Sequence, residues 1–292
     1  MESKKLRNRI SEKSPLVSLS RRHPFFLLEK SVIRKVEEDV RVFSQEGEGN
    51  FCLPVAAIGC LILGPGCSIT SEAIRVINLR GCLLFHGGGS GFPIYSHSTQ
   101  HRSPSNRVIQ FKKSLDDGER LQLGKLLFEA RARFIDYHSR CGVLRFPPVA
   151  VISNERDLLA TEGAWAREAY KLLARKLKVK WTSKNHENQS KETSLTFLNH
   201  LCYSLADLVI LYLGFDPNLG LIHGRTKGGG LCYDLADVIK PVLALELAFE
   251  AHSKAQDLSE VKSVFLDRVV ETDAIGFMIK CLQGLFKTEA RC

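Results

Sequence analysis

Gly214–Lys240, GFDPNLGLIHGRTKGGGLCYDLADVIK, sets one histidine, His223, across a glycine-rich turn from two aspartates spaced three residues apart, Asp234 and Asp237. Residues at i and i+3 of a helix share a face, so two carboxylates and an imidazole meet as a set that suits a hard divalent cation. Each residue also has a plainer reading. Asp234 precedes the apolar run Val238, Ile239, Val242 and Leu243 and reads equally as a helix N-cap, with Asp237 a first-turn acid that complements the helix dipole. His223 reads equally as a core histidine with its hydrogen bonds satisfied. Spacing alone leaves both readings open.

The segment upstream narrows the choice. Between Asn154 and Leu177, Leu158, Leu159, Trp165, Ala166, Ala169 and Leu173 recur every three or four residues and predict one apolar helix face. Glu162 falls in the middle of that face. An ionised carboxylate turned inward costs several kcal/mol unless it is paired, coordinated or protonated. Arg156 and Arg167 are candidate salt-bridge partners along the same helix, and His223, Asp234 and Asp237 are the candidates for a shared metal.

A coarse pass predicts an α+β chain, with a small N-terminal β-rich domain over 1–95, a linker over 96–107 and a larger all-α domain over 108–292. Val40–Phe43, Cys60–Leu63, Cys82–Phe85 and Ile94–Tyr95 read as strands, with a short helix over Ser71–Arg80. Helices are expected at about 105–138, 154–177, 194–213 and 234–251, followed by two more. Gly87–Gly91, GGGSG, lacks the lysine of a P-loop and the GxGxxG spacing, so it reads as a turn.

Composition bounds the function classes. The 292 residues, 44% of them hydrophobic, suffice for two domains. Nine cysteines without a CxxC pair suggest neither a disulfide framework nor a zinc ribbon, and point to a reducing cytoplasm. The longest apolar run, taken as Leu53–Leu63, contains Gly and Pro and is too short for a bilayer, so no membrane partner is expected. A formal charge of +9 favours a polyanionic partner. The cations cluster in a leader (Lys4, Lys5, Arg7, Arg9, Lys13, Arg21, Arg22), which reads as a solvated tail, and at the end of the Glu162 helix (Lys171, Arg175, Lys176, Lys178, Lys180, Lys184).

The blocks ATEGAWAREAYKLLARKLKVKW, LGFDPNLGLIHG and CYDLADVIKPV, in this order, resemble the CRISPR-associated integrase that inserts new spacers into CRISPR arrays, most of all its type I-E branch. GCLILGPGCSITSEAIRVINLRGCLLFHGG is similar to the middle of that family's N-terminal domain, and AFEAHSKAQDLSEVKSVFLDRVVE to its C-terminal helices. The resemblance implies a catalytic set of Glu162, His223, Asp234 and Asp237, with Glu162, His223 and Asp237 holding one Mg²⁺ or Mn²⁺ ion. By resemblance and charge together, Arg75, Arg167, Arg225, Lys227 and Lys240 are expected to approach DNA phosphates, and Tyr203 the reacting DNA end. The chain departs from the branch at Leu159 and Trp165, where arginines are usual, and at Glu192, where an asparagine is; Arg156 stands one turn before Leu159 as a candidate replacement.

The reaction implied is transesterification: the 3′-hydroxyl of a captured DNA fragment attacks a phosphodiester at the end of a CRISPR repeat, without a nucleotide cofactor. The partners implied are DNA, a second copy of the chain in a homodimer, and the small ferredoxin-like companion subunit of CRISPR adaptation. The apolar runs Phe25–Leu28 and Cys60–Leu63 offer surface either for the domain's own core or for a two-fold interface. The alternatives are a metal-dependent nuclease on branched or single-stranded DNA, with water as the nucleophile, and a DNA-binding scaffold without turnover.

Overall fold

Alternation builds the N-terminal strands. In β3 (Asp39–Ser44) Val40 and Val42 are buried while Arg41 is exposed, the period-two pattern of a strand with one face on a core. A computed structural model of the chain describes residues 19–44, 49–86, 94–96, 104–180, 189–223 and 228–286. The chain divides into two units, Met1–Gln100 and His101–Cys292.

The first unit contains eight strands among the described residues: β1 (His23–Leu28), β2 (Ser31–Val36), β3, β4 (Asn50–Leu53), β5 (Ile58–Leu63), β6 (Ser68–Ile69), β7 (Leu83–His86) and β8 (Ile94–Ser96). They form two four-stranded sheets, ordered β1-β5-β7-β8 and β4-β3-β2-β6. Helix α1 (Ser71–Leu79) begins at Thr70, whose side chain accepts from the Ala73 N–H, and α1 shares one core with both sheets, in which Ile33, Val42, Leu61, Ile77 and Leu84 are fully buried.

The runs Phe25–Leu28 and Cys60–Leu63 are neighbours here. β1 and β5 pair in parallel, with Phe25 opposite Cys60 and Leu28 opposite Leu63, and Phe25, Leu28, Cys60, Leu61 and Leu63 are all buried within the chain. The inward side chains of these runs therefore belong to the unit's own core, while Leu27 of β1 stays 39% exposed. Arg22 is a correction. Counted with the leader, it is only 4% exposed and donates through Nη1 to the Arg80 and Gly81 carbonyls, both at 3.1 Å. Lys4, Lys5, Arg7, Arg9 and Lys13, and the GGGSG turn, lie outside the described residues.

The second unit is helical among its described residues. The expected helix 105–138 is two helices, α2 (Pro104–Leu115) and α3 (Asp117–His138). Asp116 divides them by capping α3, its side chain accepting from Glu119 N. Of the expected linker, Ser96 ends β8 and 104–107 open α2; 97–103 are outside the described residues. Next come α4 (Glu155–Lys176), capped by Asn154, and α5 (Gln189–Leu213).

Within α5, Ser194–Leu213 is long and apolar enough by composition to cross a membrane, and most of it is buried inside the protein. Among the described residues this 20-residue stretch is longer than the apolar run Leu53–Leu63. Its burial is that of a core helix packed against α6 (Gly230–Lys240).

α6 starts four residues earlier than expected and runs on into a π-helical turn, Pro241–Glu246, then α7 (Leu247–Ser253). Pro241 has no N–H to give to the turn before it, and the helix widens there. α8 (Leu258–Glu271), opened by an Asp257/Glu260 capping box, and α9 (Ala274–Phe286) complete the unit.

Candidate active site

Two glycines bring His223 to the start of α6. A Cβ built on Gly220 would stand 2.8 Å from the Gly230 backbone, and one on Gly230 would stand 2.8 Å from the His223 carbonyl; both are closer than side-chain atoms approach backbone. The loop thus lies directly on the helix. Gly229, in the left-handed region at φ 79°, opens the helix, and the Asn218 side chain accepts its N–H at 2.9 Å. From α2, the fully buried Gln110 holds the loop's other limb: its Oε1 accepts from Asp216 N and its Nε2 donates to the Asp216 and Leu219 carbonyls.

Because α6 begins at Gly230, neither aspartate caps it. The cap reading fails for Asp234, which lies inside the helix and is 2% exposed. Its Oδ2 accepts from the backbone N–H groups of Leu221 (2.5 Å) and Ile222 (3.0 Å). Its Oδ1 accepts from His223 N (3.0 Å) and meets His223 Nδ1 at 2.7 Å. With Nδ1–H held by Asp234, the imidazole directs Nε2 to the other side, where Asp237 Oδ2 stands 3.8 Å away. That hydrogen bond, opposed by burial, raises the His223 pKa, with Asp234, Asp237 and Glu162 adding further support for the cation.

Glu162 joins from α4. One ligand atom each from Glu162, His223 and Asp237 lie within 4.8 Å of one another, so the structure brings these three together. Leu158, Ala169 and Leu173 form the buried face of α4 as expected, but Leu159 is 39% exposed and lies off it. Arg156 and Arg167 are exposed as well, and Glu162 pairs with neither. Its partner is Arg131 of α3, Nη1 to Oε1 at 2.7 Å, while Arg131 Nη2 lies 3.5 Å from Asp237 Oδ2.

Sequence reasoning missed Arg131, whose only local signal is a cation on the apolar side of α3. Its side chain is 4% exposed, and its guanidinium lies 4.8 Å, 5.2 Å and 5.9 Å from the ring centres of Phe128, Phe146 and Trp165. Such enclosure by ring faces stabilises a cation that has left water. Trp165, one of the departures from the family branch, is thereby employed: it closes this cage and donates its indole N–H to the Arg145 carbonyl at 2.7 Å.

Lys240 completes the cluster. Its ammonium sits 2.6 Å from Asp237 Oδ1 and 3.1 Å from the Tyr203 hydroxyl, and lies over the Tyr203 ring. Burial alone would lower its pKa, yet Asp237 carries it upward. For Asp237, burial pushes the carboxyl up, and Lys240 and Arg131 outweigh it to hold the group below its usual range. Lys240 and Tyr203, expected to meet DNA, are thus engaged with the acid set itself. Arg75 and Arg167 are exposed on α1 and α4. Arg225 and Lys227 lie outside the described residues.

The donor set fits a divalent metal. Two carboxylates and a neutral imidazole from two helices and a loop are hard-to-borderline ligands, and Asp234 supplies the outer hydrogen bond that orients a ligating histidine. Arg131 and Lys240 already neutralise two of the three carboxylates. One divalent ion suits this balance better than two.

Residues 146–264 match the sequence profile described as CRISPR associated protein Cas1. A protein of Chlorobaculum tepidum named CRISPR-associated endonuclease Cas1 2 is 28% identical over 280 residues, covering 89% of this chain and 86% of its own. A CRISPR-associated endonuclease Cas1 of Pectobacterium atrosepticum is 27% identical over 276 residues, covering 82% and 85%. Among solved structures, TtCas1 in a DNA complex superimposes with a TM-score of 0.74 at 22% identity, over 92% of this chain and 93% of that one. A Cas1 protein from Thermotoga maritima scores 0.69 at 15% identity, over 91% and 99%. These two superpositions show the fold.

Proposed function

We infer from these matches that the chain belongs to the Cas1 family, and from that premise we propose that it is a metal-dependent DNA integrase of CRISPR adaptation, joining the 3′-hydroxyl ends of captured fragments to the ends of a CRISPR repeat. The observation that carries this reading is the convergence of Glu162, His223 and Asp237.

Those three residues would hold one Mg²⁺ or Mn²⁺ ion. When bound, the ion supplies charge neutralisation at a nonbridging phosphate oxygen and activation of the attacking or leaving oxygen. The chain's own residues set the stage. Asp234 keeps the His223 proton on Nδ1 and leaves the Nε2 lone pair to the ligand set. Arg131 bridges Glu162 and Asp237 and fixes their spacing. Lys240, held by Asp237 and Tyr203, places a cation beside the attacked phosphate. Arg75, Arg167, Arg225 and Lys227 are proposed phosphate contacts outside this centre, and Tyr203 is proposed to face the reacting end.

Insertion on opposite strands needs paired centres, so the proposed assembly is a homodimer acting with the small ferredoxin-like companion subunit, in the cytoplasm. Light scattering of the isolated chain tests the dimer: a mass staying at the 32.7 kDa monomer over a wide concentration range refutes it.

The test of the reaction is strand transfer by the purified protein and its companion, with and without Mn²⁺. Glu162→Gln is the variant of choice, since alanine would remove one partner of the buried Arg131. Glu162→Gln is expected to abolish joining and to weaken Mn²⁺ binding in calorimetry; unchanged Mn²⁺ binding overturns the site. A hydrolytic reading, with water in place of the 3′-hydroxyl, is favoured by the endonuclease names of the curated relatives. It predicts equal product from fragments with and without a 3′-hydroxyl.

A further inference from the structure

The helical unit carries a second group of ligand-type side chains that the proposed reaction does not use. Cys141 lies in the turn after α3, Glu246 ends the π-helical turn and Glu250 follows it in α7. One ligand atom from each lies within 4.8 Å of the others. Glu246 is fully buried, and the Glu250 side chain is 13% exposed.

The local sequence makes this arrangement costly. Glu246 and Glu250, four residues apart, share a helix face, where like charges repel, and burial multiplies that cost. Arg268 of α8 offsets part of it, donating from Nη2 to Glu250 Oε2 at 2.6 Å. Oε1 of Glu246 accepts from the backbone N–H groups of Arg140 and Cys141 at 2.6 Å and 2.7 Å, which turns the carboxylate toward the Cys141 turn. Glu246 Oε2 is buried and has no hydrogen-bond partner among the described residues. An orphan oxygen on a fully buried carboxylate is rare in native proteins and marks the place of an ion or an ordered water.

We propose that Cys141, Glu246 and Glu250 bind one zinc-class divalent ion, at a site separate from the Glu162 cluster. The ligand set selects the class: a thiolate with two carboxylate oxygens suits Zn²⁺ or Co²⁺ and disfavours Mg²⁺ or Ca²⁺. Each carboxylate already has one oxygen held by a protein donor, as orienting hydrogen bonds around metal ligands do. Charge closes as well. Two carboxylates and a thiolate carry three negative charges, which Arg268 and a doubly charged ion balance.

Burial, then the two glutamates, push the Cys141 thiol up to about 12, so its proton departs to solvent as the ion binds. Glu246 stands nine residues beyond Asp237 along one helical path, about 14 Å at the α-helical rise, and Cys141 follows α3, which carries Arg131. The ion would thus tie together two elements that support the acid cluster.

The experiment is Co²⁺ and Zn²⁺ titration of the full-length, reduced protein. Wild type is expected to bind one Co²⁺ at this cluster, seen as a thiolate-to-cobalt charge-transfer band apart from any ion at the Glu162 cluster, and its thermal midpoint is expected to rise with Zn²⁺. Glu162→Gln retains both responses, which separates this site from the proposed catalytic one. Cys141→Ser, a near-isosteric change at a half-buried position, loses the band and at least tenfold in affinity; Glu246→Gln loses at least tenfold with its fold intact by circular dichroism. Absence of the band in wild type, or a band that survives Cys141→Ser, overturns the proposal. An ordered water alone at the cluster would leave Co²⁺ binding the same in wild type, Cys141→Ser and Glu246→Gln, and that result overturns it too.

Discussion

Asp234→Asn is the sharpest test of how the centre is held. Four polar contacts converge on this carboxylate, from the N–H groups of Leu221, Ile222 and His223 and from His223 Nδ1. An asparagine has one acceptor oxygen. With that oxygen toward Leu221 and Ile222, the new NH₂ faces the His223 N–H, donor against donor, and meets Nδ1, which must then accept. The unpaired buried N–H costs about 1–3 kcal/mol, and the two surviving bonds fall from charge-assisted to neutral strength, about 1 kcal/mol lost between them. The sum is about 3 kcal/mol of stability.

The ring proton moves to Nε2, the atom turned toward Asp237, so Mn²⁺ affinity should fall about 10–100-fold, the usual effect of losing an orienting hydrogen bond. Urea denaturation gives the first quantity, calorimetry the second, and ¹⁵N NMR of the imidazole reports the tautomer. Joining activity should be impaired less than in Glu162→Gln, because all three ligands remain. A destabilisation under about 0.5 kcal/mol together with unchanged Mn²⁺ affinity would refute the assignment of Asp234 as the residue that positions His223.

Other expectations follow from the same geometry. Gly220→Ala should cost about 3 kcal/mol, the upper end for overpacking, because its Cβ meets Gly230 backbone at 2.8 Å; equilibrium unfolding checks it, and a neutral result would refute the close approach. Arg131→Met should cost about 3–5 kcal/mol by leaving two carboxylates without their shared cation, and a melting curve matching wild type would deny that role. Because the His223 pKa is raised, its contribution to stability is full below the unfolded value of about 6.5 and is lost as pH rises through the folded value, while Mn²⁺ affinity rises over that same interval; a flat affinity profile would count against His223 as a ligand. Burial raises Asp207 to about 6, with Cys232 opposing, so it weakens the fold as pH climbs from the usual carboxylate range through that value. Asp207→Asn should therefore stabilise the protein at neutral pH by up to about 3 kcal/mol and give no gain in acid, a difference that paired urea titrations would detect.

The sequence by itself determined the fold class and singled out Glu162, His223 and Asp237, which the structure brings together. Helix periodicity around Glu162 exposed an inward carboxylate, and the glycines around His223 announced a close turn, because both signals depend only on near neighbours in the chain. The strands it missed, β1, β2, β4 and β6, gave no clean alternation: β1 buries the consecutive Pro24 and Phe25 and exposes Leu27, and β2 carries Arg34 and Lys35 in the second half of its run. Helix starts were also misjudged, since Gly229 opens α6 through a backbone conformation, not through a capping side chain. Only the tertiary structure decided the partners. Arg131 reaches Glu162 from 31 residues upstream and Asp237 from 106 residues upstream, and Arg22 turns from a leader cation into a buried brace across 58 residues. A charge's sequence neighbours do not say what it will meet when burial removes its water, because that is settled by which distant helix faces and backbone carbonyls packing brings to it.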